Sequence, residues 1–412
     1  MYVRWLPLSL ILVFLLPATA PAYSVLTHEA IIDSAWPQTL RPLLLKRFPN
    51  ATDDQLREAH GYAYGGAIIQ DMGYYPFGSK FFSDLVHYTR SGDFVLALLQ
   101  DAQESGDIND YAFALGALAH YAADNLGHPA AINRTVPLVY PKLRAKFGPE
   151  VTYEDDPAAH LKTEFGFDVI EVARGQYANE AYHDFIGFQV AKPLLERAFE
   201  QTYCVPLKDL FTNLDLALGT YRFSVSQTIP EMTKAAWAAK KKDIEKLQAG
   251  MTRRRFIYRI KISAYQKDFD NQYQKPGLGA RLLAFLFRLI PKIGPLRVFA
   301  FKIPPPAAEK MFLASFDDTV RQYKELLAKA GENDLELPNQ NFDTGRPTRI
   351  GDYHLADETY GKLLERFDGH LNDVSESMRA NILRFYGASG SPVSDKAVAV
   401  LAALRANSAA SN

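Results

Sequence analysis

The sequence predicts an all-α protein, and three observations carry that reading. Apolar residues recur at helical spacing through most of the chain, and apolar–polar alternation is scarce. The periodic runs open on Ser, Thr or Asp and stop at Gly or Pro. The first expected helix spans 25–36, with Ser24 or Thr27 as its cap. A short helix over 40–48 stops at Pro49-Asn50, and Thr52-Asp53-Asp54 opens a longer one running toward Met72. Residues 81–103 read as helix with a break at Ser91-Gly92, and 109–127 as a helix ended by Gly-His-Pro. Further helices are expected over 140–147, 157–174, 180–203, 207–227 and 229–247, and 256–262 is the one plausible strand. Beyond Pro304-Pro305-Pro306, helices over 307–330, 357–367 and 374–385 flank an irregular stretch, 338–352. A small, polar tail from Ala406 is expected to be disordered.

With 412 residues, 48% of them apolar, the chain can bury a large core. Its net charge of −1 supplies no global attraction to nucleic acid. Arg4 precedes an apolar run over 8–16 that is too short to span a bilayer and has the length of a signal-peptide core. A small-x-small site ending at Ala22 then makes Tyr23 the expected first residue of the mature chain. The single cysteine, Cys204, excludes an intramolecular disulfide, so stability must come first from core burial. A periplasmic or secreted bacterial protein fits these features.

The expected organisation is a signal peptide over 1–22, a catalytic region over 23–265, a basic apolar segment over 266–345, and C-terminal helices over 346–412. Between 271 and 308 no residue is acidic, while Lys275, Arg281, Arg288, Lys292, Arg297 and Lys302 are basic. A basic amphipathic helix within 278–303 can lie on an anionic membrane surface. The competing reading is a helical hairpin, broken at Pro291 and Pro295, that packs on the main body. No protein partner and no specific nucleic-acid site are indicated.

The chemistry concentrates in ALGALAHYAADNLGHP, residues 114–129. His120, Asp124 and His128 are each four residues from the next, so on a helix each sits about 40° around from the last. Two imidazoles and a carboxylate on one helical face are metal ligands of the kind zinc takes. His160 and Glu164, at i and i+4, make a second two-ligand face, although such a pair also forms ordinary surface contacts. Asp71 is a lone carboxylate at the end of an apolar run, where burial of an unpaired charge calls for a compensating cation. His87 follows it in FSDLVHY, and His28 lies five residues after Tyr23. His60, eleven residues before Asp71, is placed to share its helical face and support it. His183, His354 and His370 lack ligand-like spacing.

The order of these residues, over roughly 23–200, resembles the bacterial zinc-dependent phospholipases C, whose helical fold is shared by fungal single-strand nucleases. An aromatic residue shortly before a histidine is followed by Asp, His, H-x3-D-x3-H and H-x3-E. Two departures stand out: the family's first residue is a tryptophan where this chain has Tyr23, and the phospholipases usually place five residues between the aspartate and the next histidine, against three here. The resemblance implies a multi-helix fold holding three zinc ions. Asp71, His87, His120 and Asp124 would hold one ion, and His128, His160 and Glu164 a second. Tyr23, through its free amine and carbonyl, and His28 would hold the third, with Asp124 as a bridge. An α-amine has a pKa near 8, so zinc can displace its proton.

The implied activity is phosphodiester hydrolysis, with Asp71 as the candidate catalytic residue that orients or deprotonates water. A phospholipid would yield diacylglycerol and a phosphorylated head group. The near-neutral charge, the aromatics Tyr74, Tyr75, Phe77, Phe81 and Phe82, and the basic apolar segment favour a phospholipid substrate. The alternatives are a single-strand nuclease or 3'-nucleotidase-like hydrolase, in which the same aromatics stack bases, and an inactive zinc-stabilised interaction protein.

Overall fold

The computed structural model describes residues 24–174, 188–225 and 301–410, with isolated positions between 237 and 253. The first half is built from α1 (Val25–Ala35), α2 (Arg41–Arg47), α3 (Asp53–Ile68), α4 (Lys80–Tyr88), α5 (Ser91–Ser105) and α6 (Ile108–Gly127). There follow α7 (Asn133–Val139), α8 (Pro141–Phe147), α9 (Pro157–Arg174), α10 (Lys192–Tyr203) and α11 (Leu214–Phe223). The C-terminal part contributes α12 (Pro306–Glu332), a two-stranded ribbon, and α13 (His354–Arg366), α14 (Glu376–Tyr386) and α15 (Asp395–Ala410). The antiparallel ribbon, β1 (Gln340–Asn341) and β2 (Arg346–Pro347), pairs Gln340 with Pro347 and is the only strand structure among the described residues. The all-α class is correct.

Local chemistry accounts for most of the helix starts. Thr52 and Gln55 close a reciprocal capping box on α3, at 3.2 and 2.9 Å. Asp107 caps α6 by accepting from the backbone N–H groups of Asn109 (2.7 Å) and Asp110 (3.2 Å). Asn213 and Ser375 do the same for α11 and α14. Neither Ser24 nor Thr27 caps α1 with its own side chain, as the sequence suggested. Asp168 of α9 takes that role, accepting from the Ser24 and Thr27 side chains and from the Leu26 and Thr27 backbone.

Helix α6 is the axis of the fold. Every residue from Tyr111 to Asn125 is buried, so it is a core helix wrapped on all sides. Helix α3 crosses it at backbone contact. A Cβ on Gly66 would lie 1.8 Å from the Phe113 carbonyl oxygen, and one on Gly116 would lie 2.1 Å from that of Ala63. Tyr323 of α12 closes another side by donating to the Leu115 carbonyl at 2.9 Å. Helix α10 ties down the α4–α5 corner, where Tyr203 donates to Thr89 O (2.8 Å) and Thr202 O accepts from Arg90 (2.7 Å). One apolar core runs from Ile31 in α1 through α6 and α12 to Leu404 in α15.

Several expected boundaries shift. The helix toward Met72 ends at Ile68 and tightens into a 3-10 turn over Ile69–Tyr74. The helix expected over 109–127 does end at Gly127, and the chain then passes through a π turn, His128–Ile132, into α7. Residues 188–191 are non-helical, so the helix expected over 180–203 starts only at Lys192 on its described side. The helix expected over 207–227 divides into a 3-10 turn, Leu207–Leu210, and α11. The tail from Ala406 is helical to Ala410, because Ala397, Val400, Leu401 and Leu404 make a buried stripe that docks α15 on the core.

The signal segment, the 256–262 strand and the basic stretch up to Ala300 lie outside the described residues, as does most of the helix expected over 229–247. Among the described residues, no helix is long and apolar enough to cross a membrane.

Replacing Gly116 with Ala should destabilise the protein by about 3 kcal/mol, because its methyl meets backbone rather than a movable side chain. Denaturant unfolding of the two proteins measures the difference.

Candidate metal centre

Helix α6 presents His120 and Asp124 from its interior end, and His128 opens the π turn that follows. His28 comes from α1, Asp71 from the 3-10 turn, His87 from α4, and His160 and Glu164 from α9. All eight are buried, none more than 3% exposed. The 3-10 tightening after α3 gives Asp71 its direction, and Ser83 of α4 holds that turn by donating to Gln70 O and accepting from Gly73 N–H at 2.9 Å.

Five of these side chains form a first group. Asp124 Oδ2 lies 3.1 Å from His120 Nε2 and 3.5 Å from His87 Nε2, and its Oδ1 lies 3.5 Å from His28 Nε2. Asp71 Oδ1 lies 3.4 Å from His87 Nε2 and 3.7 Å from His120 Nε2. The outer nitrogens of two imidazoles are held by backbone: His87 Nδ1 donates to Ser83 O at 2.7 Å, and His120 Nδ1 to Ala67 O at 2.9 Å. Their Nε2 atoms then face each other at 3.3 Å. Two lone pairs cannot approach so closely without a proton or a cation between them. The carboxylate oxygens of Asp71 and Asp124 make no well-formed hydrogen bond although buried. Oxygen and nitrogen donors of this kind, buried and converging, fit a borderline-soft divalent metal such as zinc.

A second group joins His128, His160 and Glu164, with His160 Nδ1 at 2.6 Å from Glu164 Oε1 and the His128 and His160 rings 5.1 Å apart. His128 Nε2 is buried with no hydrogen-bond partner. Asp343 also belongs here, accepting from His128 Nδ1 and lying 3.8 Å from His160 Nε2. Nothing in the local sequence marked it. It sits in NFDTG within an irregular loop, 179 residues after Glu164 (343 − 164), with no periodic partner. Asn133, at the start of α7, accepts from His160 Nε2 at 2.9 Å, a contact across 27 residues that local spacing does not mark.

The electrostatics differ from ring to ring. Burial opposes charge on His87, but hydrogen bonds and attraction from Asp124 and Asp71 outweigh it and raise the imidazole to about 10. His120 is raised as well, against burial, chiefly by the Asp124 and Asp71 charges. Burial, seconded by His120, holds His28 well below its usual value. His160 is driven down to about 3 by burial, and Glu164 is pushed up by burial and by Asp124.

His60 does not support Asp71. Its Nε2 meets Asp33 Oδ1 at 2.9 Å, and its ring stacks on Trp36 at 3.8 Å. The eight residues from His60 to the end of α3 span about 12 Å along the axis, which carries it away from the site. His354 and His370 are exposed and pair with Glu358 and Asp373. Tyr23 and His183 lie outside the described residues. The aromatic run also divides: the Tyr74 ring lies 5.9 Å from His87, whereas Phe82 packs in the core against Phe199 and Phe211.

Residues 27–213 match the family model described as zinc dependent phospholipase C. No curated protein and no solved structure matches the chain.

The His87 imidazole, raised to about 10, carries a proton at neutral pH, and a metal needs its lone pair. Zinc binding to metal-free protein should therefore release protons and strengthen as pH rises toward 10. Calorimetric titration in buffers of different ionisation enthalpy counts the released protons, and a buffer-independent heat would contradict this.

Proposed function

We propose, from the match of residues 27–213 to the zinc-dependent phospholipase C family model, that the protein is a zinc-dependent phosphodiesterase that cleaves phospholipids. The observation that carries the reading is the burial and convergence of the donor atoms of His28, Asp71, His87, His120 and Asp124, and of His128 and His160 with Asp343. Three zinc ions are proposed. Asp71, His87, His120 and Asp124 hold one, His128, His160 and Glu164 hold another, and His28 shares the third with the Tyr23 amine and carbonyl, Asp124 serving as bridge. A cleaved signal peptide that exposes Tyr23, and a periplasmic or secreted location, belong to the same proposal.

When bound, zinc supplies positive charge to the phosphate and lowers the pKa of water toward about 7. The chain's own contribution is placement and proton handling. Asp71 directs Oδ1 at two imidazoles, which leaves Oδ2 to accept a proton from attacking water. In the proposed reaction the water oxygen bonds to phosphorus, the bond from phosphorus to the glycerol oxygen breaks, and that oxygen leaves protonated as diacylglycerol. Burial raises the Asp71 carboxyl above its ordinary value.

Zinc-loaded mature protein, incubated in parallel with phosphatidylcholine vesicles and single-stranded DNA, should release water-soluble phosphorylated head group. Nucleotide release without head-group release would overturn the substrate class. Asp71→Asn should lower kcat by about 10²–10⁴-fold. Asp124→Ala should remove two zinc ions from the elemental count, and loss of only one would count against bridging.

A further inference from the structure

The geometry points to Asn133 and Asp343 as positioning residues that grip the two imidazoles of the second ligand group, so that a loop beyond the family-matched span completes the metal centre. The inference rests on the zinc reading proposed above and deepens it.

Each of the two rings is held by one nitrogen and turned inward by the other. His128 Nδ1 donates to Asp343 Oδ1, and His160 Nε2 donates to Asn133 Oδ1 at 2.9 Å. The opposite atoms, His128 Nε2 and His160 Nδ1, are left to face a ligand, the latter beside Glu164 Oε1. The two holders are themselves linked. Asn133 Nδ2 donates to the Asp343 backbone carbonyl at 2.7 Å, which fixes the amide so that its oxygen is the atom offered to His160.

Asp343 could in principle ligate with the two histidines, since their donor atoms lie within 4.8 Å of one another. Its hydrogen bonds argue for holding instead. Besides His128, the carboxylate accepts from the Tyr353 hydroxyl and from the Tyr153 backbone N–H at 2.9 Å. Three donors leave it little to offer an ion. A carboxylate on the far N–H of a histidine fixes the tautomer and makes the near nitrogen a better donor.

The loop is seated rigidly enough for this work. The Asn341 side chain accepts from the Asp343 backbone N–H at 2.9 Å, and Phe342 N–H donates to His87 O at 3.1 Å. Gly345 has φ +65°, and a Cβ there would lie 2.5 Å from the Asn125 carbonyl oxygen at the end of α6. Only glycine fits both demands.

The test measures zinc affinity on the full mature chain by competition with a chromophoric chelator, and cobalt absorption as a second readout. Asp343→Ala and Asn133→Ala should each weaken one zinc equivalent by about 10–100-fold. Asp343→Asn should lose less, because its amide oxygen still accepts from His128, and should leave the cobalt band positions unchanged. Complete loss of one equivalent in Asp343→Asn, with shifted cobalt bands, would make Asp343 a ligand and overturn the inference. So would unchanged affinity in both alanine variants. If those variants fail to fold, Tyr353→Phe removes one donor from Asp343 with little change of shape. It should weaken the same equivalent a few-fold, and unchanged affinity would again overturn the inference. A wild-type protein that binds no zinc at all would instead refute the reading on which this one rests.

Discussion

Burying carboxylates and imidazoles together in the middle of a helical protein is the constraint around which this structure is arranged. Asp71, Asp124 and Glu164 lie at 1, 0 and 3% exposure among five imidazoles of similar burial. An uncompensated buried charge is strongly unfavourable, and breaking a buried pair by removing one partner costs about 3–5 kcal/mol. Hydrogen bonds within the chain satisfy the outer edges of the cluster but not its inside. The remaining requirement is for positive charge at the centre, which protons or a divalent cation can meet.

The scaffold answers that constraint by fixing directions before any ligand arrives. Backbone carbonyls of Ser83 and Ala67 take the outer N–H of His87 and His120. Carbonyls at those positions exist only because α3 and α4 present their backbones to α6. For α3 the close approach depends on Gly66 and Gly116. The glycines of the helix crossing are therefore linked to the donor set through geometry, although they lie outside it. Asp168 extends the same logic to α1, where it caps the helix that carries His28.

The part of the chain beyond residue 213 is structurally continuous with the part before it. Helix α12 covers α6, and the loop that follows reaches the end of α6 and both ligand groups. Phe342 packs its ring 5.3 Å from that of His87 and 5.9 Å from that of His120, which screens the first group from the outside. A core shared in this way means that the C-terminal helices contribute to the rigidity of the centre as well as to stability.

How much of this was legible in the sequence depends on whether the signal was local. The all-α class, the helix over 157–174 and the spacing of His120, Asp124 and His128 follow from periodicity and side-chain chemistry alone. Contacts made across the chain have no such period. Asp343 meets His128 over 215 residues and Asp168 meets Thr27 over 141, and the exit of Asp71 from the α3 face depends on a change of helical pitch that propensity does not announce. The shared face of His120, Asp124 and His128 was readable because the α-helix itself dictates which residues lie above one another. Which ligands stand together, which nitrogen of each ring points inward, and which distant loop holds it there were decided by tertiary packing. Those choices depend on how separate helices cross, and crossing is a property of the assembled core.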